Sequence, residues 1–473
     1  MKSRIIVILL IVVGLIGAAG GALAYAVKSH STFLSGAVQY LAEKTITNNN
    51  EESAAIFPTL LGLNGPRTML LLFLNNTEIR PGGGFIGSYG VVTVDHGSVT
   101  SLFTDGVENL DRAALNLPSV PAPQPLTDHV VTRWYFRDSN WSPDFVESSQ
   151  KSLGFYKLEQ GQKADEVQTV IGITPEVLST LLKYTGPISV DGKNYTTENI
   201  TDLLEHTVEV DFHEQGIAKE NRKDAIGKIA AEIVSRTKHI SPTQWGAILG
   251  DVQKLFEDRH VMVYDTDPNV QKSLDALGWS GRLKPGTPDK IMFADANLGS
   301  LKTDRVMQRS ERYEITRDAT TGQWQGTITM QYKHTGTFDW KTTRYQTYTR
   351  WYFPSGTTFL SADGLDKKEK WIIEDDGAFM SVGGYFVTEP GATHTITIHV
   401  ALAPHVVAAI TAGKYGLVAQ KQLGTSGFDL TVHALFGTSI KRAAPPEEPA
   451  HFGDNAYDWS GRVTTDTNFE VLL

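Results

Sequence analysis

The chain has 473 residues, which at roughly 150 residues per domain suggests two or three domains. Hydrophobic residues make up 41% and charged residues 20%, enough for packed cores and too apolar for wholesale disorder. Lys+Arg 43 against Asp+Glu 53 gives a net charge of −10, the wrong sign for a general nucleic-acid binder. The absence of cysteine excludes disulfides, cysteine zinc sites, Fe–S clusters and thiol catalysis.

Met1-Lys2-Ser3-Arg4 precedes an uncharged run from Ile5 to Val27, 23 residues long, where about 20 span a bilayer. The run predicts a transmembrane anchor within residues 1–30. Ala22-Leu23-Ala24 and Ala24-Tyr25-Ala26 keep a cleavable signal peptide as the rival. Lys2 and Arg4 place the N-terminus in the cytoplasm and the bulk of the chain outside. Setting those two aside leaves 41 positive against 53 negative side chains, a net −12. An exported, cysteine-free chain suits a bacterial envelope.

Residues 31–65 read as a helical stalk, and an α/β or α+β core follows over 66–302. Thr68–Leu74 is a continuous apolar run, as in a strand buried on both faces. Tyr89–Val94 and Ser98–Phe103 flank Asp95-His96-Gly97 as a hairpin. Pro118–Pro125 is a proline-rich loop. Helices are predicted over Phe145–Leu158, Pro175–Tyr184 with Thr174 as cap, Thr197–Thr207 and Lys219–Thr237. Val261–Tyr264 and Lys290–Ala294 are expected to close the sheet. Residues 303–440 alternate in short segments from Gln323–His334 to Asp429–Phe436, the texture of a β-sandwich. Ala443–Pro449 reads as a proline-rich spacer within 441–473, before a last strand segment.

Gly82-Gly83-Gly84-Phe85-Ile86-Gly87 matches G-x-G-x-x-G. A dinucleotide site needs a helix after the glycines, whereas Ser88–Val94 alternates like a strand. The remaining readings are a glycine-rich turn and a backbone-amide cradle for an anion. No Walker loop, nucleophile elbow or H-E-x-x-H is present, and the histidines are too scattered for a metal site. Two polar stretches stand out: Asn75–Gly84 at the end of a buried strand, and Arg137-Asp138-Ser139-Asn140-Trp141-Ser142-Pro143-Asp144. Both fit binding loops, and both fit ordinary turn and cap chemistry, with Ser142 or Asp144 capping the next helix. Lys219, Arg222 and Lys223 share one helix face, which reads as a solvated face or a basic patch.

The segments LLLFLNNTEIRPGGGFIGSYGVVTVDHGSV (70–99), RDSNWSPDF (137–145), LLKYTGPISVDGKNYTTENI (181–200), KENRKD (219–224) and DRHVMVYDTDPNVQKSLDALGWSGR (258–282) resemble the bacterial DUF4012 family. ADANLGSLKTDR (294–305) and LVAQKQLGTSG (417–427) extend the resemblance over about Pro66 to Phe436. More distantly, the layout is similar to LytR–CpsA–Psr proteins, membrane-anchored enzymes that move envelope polymers from polyprenyl-pyrophosphate carriers onto peptidoglycan. That likeness implies a LytR–CpsA–Psr-like core, a bound lipid pyrophosphate and a divalent metal such as Mg2+. Asn76 takes the acidic position of the family's first motif, with Glu78 as substitute, and Arg80 its arginine. Lys219 and Arg222 take the basic positions of the second, with Lys223 replacing glutamine. Phe85-Ile86-Gly87-Ser88 replaces the family's arginine–serine–aspartate, so a basic residue and a metal-type carboxylate are missing.

These readings give one expectation and one alternative. The first is phosphate binding by Arg80, Gly82, Gly83, Gly84, Arg137, Lys219 and Arg222. Glu78, Asp105 and Asp138 would be the catalytic acids, and Asn76, Trp134, Asn140 and Trp141 the glycan contacts. It requires Arg80, Lys219 and Arg222 to converge. The partners would be the bilayer and a polyprenyl-phosphate-linked glycan or peptidoglycan, not nucleic acid. The alternative is a non-catalytic envelope scaffold in which Trp134, Tyr135 and Trp141 stack on sugars.

Overall fold

A computed structural model of the chain describes residues 56–96, 98–211, 223–237, 240–285 and 289–473. The predicted anchor, most of the predicted stalk, Gly97, Lys219 and Arg222 lie outside the described residues. Among those described, no helix is long and apolar enough to cross a membrane. The contacts divide the chain into two units. The first holds residues up to Asn75 together with Gly82–Val120 and Trp134–Arg282, and the second holds Asn76–Pro81, Pro121–Arg133 and Leu283–Leu473.

The first unit is mixed α/β. The strands of its main sheet are β1 (Arg67–Asn75), β2 (Phe85–Asp95), β3 (Ser98–Gly106), β4 (Val167–Ile173) and β5 (Val261–Asp265), in the order β3-β2-β1-β4-β5. Only β1 and β4 pair in parallel. Its principal helices are α1 (Val107–Ala113), α2 (Phe145–Leu158), α3 (Glu176–Thr185), α4 (Asp224–Thr237), α5 (Trp245–Glu257) and α6 (Pro268–Ala276).

The apolar run of β1 is explained by cover on both faces. Met69 and Leu71 join a core with Ile171, Val177, Leu181, Ile229, Ile233, Ile248 and Val252. On the other face α2 sits so close to β4 that a Cβ at Gly172 would meet the Phe145 ring at 2.6 Å. The hairpin β2–β3 and helix α2 occupy the predicted segments. Asp144 caps α2, its Oδ1 accepting the Val146 and Glu147 amides at 2.8 and 3.2 Å. Thr174 does not cap α3. Its hydroxyl bonds His260 Nδ1 at 2.9 Å, and Pro175 stands at the helix start.

The second unit is β-rich. Its strands are β6 (Asp289–Asn297), β7 (Met307–Arg317), β8 (Trp324–His334), β9 (Tyr345–Pro354), β10 (Thr358–Asp363), β11 (Ile372–Asp375), β12 (Phe379–Thr388), β13 (Thr393–Ala401), β14 (Lys414–Ala419), β15 (Phe428–Leu435), β16 (Arg442–Ala444), β17 (Ala456–Val463) and β18 (Thr467–Leu472). They form a seven-stranded sheet, β11-β12-β9-β6-β14-β18-β16, and a six-stranded sheet, β10-β13-β8-β7-β15-β17. Both sheets contribute to one core that includes Ile291, Phe293, Trp351 and Leu417 from the first and Tyr313, Ile328, Ile398 and Val432 from the second.

Two expectations need correction. The strand at Lys290–Ala294 does not close the first sheet. It is part of β6, which pairs with β9 and β14 in the seven-stranded sheet. An apolar run marks a buried strand and carries no record of its neighbours. The segment Ala443–Pro449 is not merely a spacer, because Arg442–Ala444 adds an edge strand to β18 and Glu447 is buried. The tail also supplies two strands, β17 and β18, one to each sheet.

Candidate site at the glycine-turn end of the first unit

The motif Asn75–Gly84 is divided between the two units. Residues 76–81 are tied into the second. Asn76 Nδ2 donates to the Gly424 carbonyl at 2.8 Å, and the Ile79 amide donates to Asp304 Oδ2 at 2.9 Å. Arg80 is 2% exposed. Its guanidinium donates to the Asn297 and Ile79 carbonyls and faces Glu78 at 3.5 Å, while Glu78 also holds Lys302 at 3.1 Å. Arg80 and Glu78 are therefore built into a buried ionic and backbone network of the β-rich unit.

Gly82, Gly83 and Gly84 belong to the first unit and lead into β2, so a strand and not a helix follows them. Each glycine has a steric reason. A Cβ at Gly82 would sit 2.8 Å from Asn140 Cβ and 2.9 Å from its carbonyl oxygen. Gly83 and Gly84 adopt φ of 112° and 145°, which side chains resist. The turn is bolted to the Arg137–Trp141 loop: the Gly82 amide donates to Asn140 O at 3.0 Å, and Asn140 Nδ2 donates to Gly84 O at 2.7 Å. Two motifs distant in sequence thus meet at the end of β1, where open α/β sheets place ligands.

Two cations arrive at the same end. Arg137 Nε donates to Asp111 Oδ2 on α1. Lys223, at the start of α4, donates to the Gly87 carbonyl on β2 and to Glu108 Oε2 on α1 at 2.8 Å. Asp105 ends β3 and accepts from the Gly106 amide at 2.8 Å and Asn109 Nδ2 at 2.6 Å. Asp138 is 2% exposed, and its carbonyl takes the Trp134 indole at 2.8 Å. Trp134 meets Phe155 edge-on at 5.4 Å and lies under Lys151 Nζ, 4.8 Å from the ring centre. Asn140 and Trp141 are buried, so these two are packed into the unit and do not form a stacking face.

The sequence reading missed two residues here, Asp111 and Glu159. Both are buried, and their carboxyl groups lie close enough to shift each other's proton affinity. Glu159 also takes the Phe136 amide at 2.9 Å. Burial pushes Asp111 up to about 6 against the pull of Arg137, and pushes Glu159 up to about 8 with help from the Asp111 charge. Burial likewise holds the Tyr89 and Tyr156 hydroxyls far above their usual range. No spacing marks this pair in the sequence. Among the described residues, no group of three or more His, Asp or Glu is arranged to hold a metal ion.

The comparisons with known proteins bear on the first unit most. Residues 64–208 match the DUF4012 family model, described as a protein of unknown function. No curated protein matches. Among solved structures, similar chains include a nutrient-binding protein, so named provisionally, from Legionella pneumophila (13% identity, covering 35% of this chain and 67% of that one, TM-score 0.23). Others are the M1 zinc metallopeptidase of Deinococcus radiodurans (10%, 36% and 42%, TM-score 0.19) and yeast LTA4 hydrolase (10%, 35% and 29%, TM-score 0.20). The chain spans less than half the length of these two hydrolytic enzymes, and at such scores the likenesses carry no argument. The likeness to LytR–CpsA–Psr proteins rests on the sequence motifs alone. The glycine turn and the Arg137–Trp141 loop, joined here in space, both fall inside residues 64–208, the stretch that matches the DUF4012 family model.

Proposed function

We propose that the chain is a membrane-anchored, extracytoplasmic protein of the bacterial cell envelope. It binds a polyprenyl-phosphate or a phosphorylated glycan at the glycine-turn end of its first unit. The observation that carries this reading is the meeting of Arg137 and Lys223 on the same short helix, α1, beside the strand that leaves the glycine turn. Lys223 ends the basic run that also contains Lys219 and Arg222 in sequence. A guanidinium forks onto phosphate oxygens, and an ammonium adds a point charge. Against a net −12 in the proposed exported part, a polyanionic carrier meets at this end two cations, Arg137 and Lys223, each already paired with an acid of α1.

Transfer of a glycopolymer from the carrier, as in LytR–CpsA–Psr enzymes, is the finer reading. Binding without turnover is favoured by a specific observation. Two of the three expected acids are engaged in structural bonds, Asp105 with Gly106 and Asn109, and Glu78 with Arg80 and Lys302. The test incubates the full chain in detergent with polyprenyl pyrophosphate, with and without Mg2+, and compares Arg137→Ala and Arg222→Ala. The expected result is saturable binding, weakened about tenfold or more by either substitution, since a charge-assisted hydrogen bond is worth roughly 1.5–3 kcal/mol. No binding by the wild type sinks the proposal, and release of phosphate would move it to turnover.

A further inference from the structure

Each carboxyl group of the Asp111–Glu159 pair has one oxygen already committed. Asp111 Oδ2 takes Arg137 Nε, and Glu159 Oε1 takes the Phe136 amide. The remaining oxygens, Asp111 Oδ1 and Glu159 Oε2, are buried and have no hydrogen-bond partner. Two bare carboxylate oxygens have no donor between them, so their contact requires a hydrogen. We propose that Asp111 and Glu159 share one proton and act as a latch that holds the Arg137–Trp141 loop, and through it the glycine turn, in place. This deepens the functional reading by naming a control on the same site. It rests on that reading only for its effect on ligand binding.

The surroundings fix the charge balance. The pair is faced by Arg137 and Asp138 from the turn Phe136–Asp138, and by Tyr89 from β2. Tyr89 in turn feels Tyr156 from α2 and Asp105 from β3. Arg137 is the only cation among these groups. With one shared proton the pair carries a single negative charge, which Arg137 balances. Loss of that proton leaves two buried carboxylates against one guanidinium, with Asp138 adding to the repulsion.

The mechanical link is short. Phe136 and Arg137 are neighbours, and each is held by one member of the pair. Three residues on, Asn140 grips the turn at Gly82 and Gly84. Repulsion between the acids therefore loosens both anchors of the loop at once. Both acids have folded-state values raised above their ordinary ones. Their contribution is complete in acid and is lost as pH rises, first near 6 and finally near 8. The loop opens toward alkaline pH.

Hydrogen exchange on the full chain without ligand tests this, at about pH 6.5 and 9.5 with the intrinsic pH effect removed. The amides of Phe136, Asp138, Ser139 and Gly82 should exchange faster by about tenfold per pH unit as pH rises toward the upper step near 8 and level off above it, with β1 unchanged. Glu159→Gln keeps an acceptor for Phe136 and donates to Asp111. Asp111→Asn donates to Glu159. Either variant, whichever folds, should abolish the alkaline step. A wild type without the step, or a variant that keeps it, overturns the latch. Because no ligand is present, failure of polyprenyl pyrophosphate to bind leaves the latch standing and sinks only the functional reading.

Discussion

In the second unit, Arg309 on β7 lies between Asp295 and Asp304, 2.6 and 2.5 Å away, and every remaining carboxylate oxygen has a donor. Asp295 takes Tyr332 and Thr349, and Asp304 takes Asn297 and the Ile79 amide. In the first unit, Arg137 meets Asp111, but Asp111 and Glu159 present two oxygens that only a proton can join. The acids of both clusters are buried, and both clusters hold more acid than base. The difference lies in completeness. A network whose lone pairs are all assigned is rigid scaffold, while one that depends on a labile hydrogen can change state.

The largest way to break this comparison is Arg309→Met. It strands two buried carboxylates and should cost roughly 3–5 kcal/mol, read as loss of the second unit's calorimetric transition. A cost under about 1 kcal/mol would mean the network is not structural. Glu311, on the same strand, is an exception within that unit. It is 2% exposed, neither oxygen has a hydrogen-bond partner, and burial, aided by the Asp295 charge, pushes it up to about 8. Burial therefore favours its neutral, protonated form. Its contribution to stability is full below about pH 4.5 and is lost as pH rises toward 8. Glu311→Gln should thus match the wild type near pH 5 and exceed it by a few kcal/mol above pH 8, since each tenfold change in proton affinity on folding is worth about 1.4 kcal/mol. Parallel denaturation curves at all pH values would contradict this.

Smaller effects sharpen the picture of the turn. Gly82→Ala drives a methyl into Asn140 and should destabilise the first unit by about 1–3 kcal/mol in chemical denaturation. It should also weaken any ligand held there. Asp144→Ala removes a cap and should cost only about 1 kcal/mol, with the site intact.

The elements that a single stretch of chain determines were legible. TMLLLFL announced a strand buried on both faces, and Phe145–Leu158 coincides with α2. The glycines were legible as a turn before a strand because Ser88–Val94 alternates. What failed depended on partners far along the chain. Arg80 reads as a phosphate ligand beside three glycines, yet its neighbours in space are Glu78 and the Asn297 carbonyl. Asp111 and Glu159 stand 48 positions apart in an unremarkable helix and a helix end, so no spacing joins them. Glu311 falls in step with Tyr313 and Ile315, which face inward, although a lone glutamate in a strand reads as surface.

The central claim is that the glycine-turn end of the first unit recognises a phosphate. The direct measurement is calorimetric titration of the full chain, at about pH 7, with polyprenyl phosphate and with the phosphate-free polyprenol of the same length. The account predicts saturable binding of the phosphate, weakened about tenfold or more in Arg137→Ala, and at least about tenfold weaker binding of the alcohol. Equal affinity for the two lipids, or no binding of either, would contradict it.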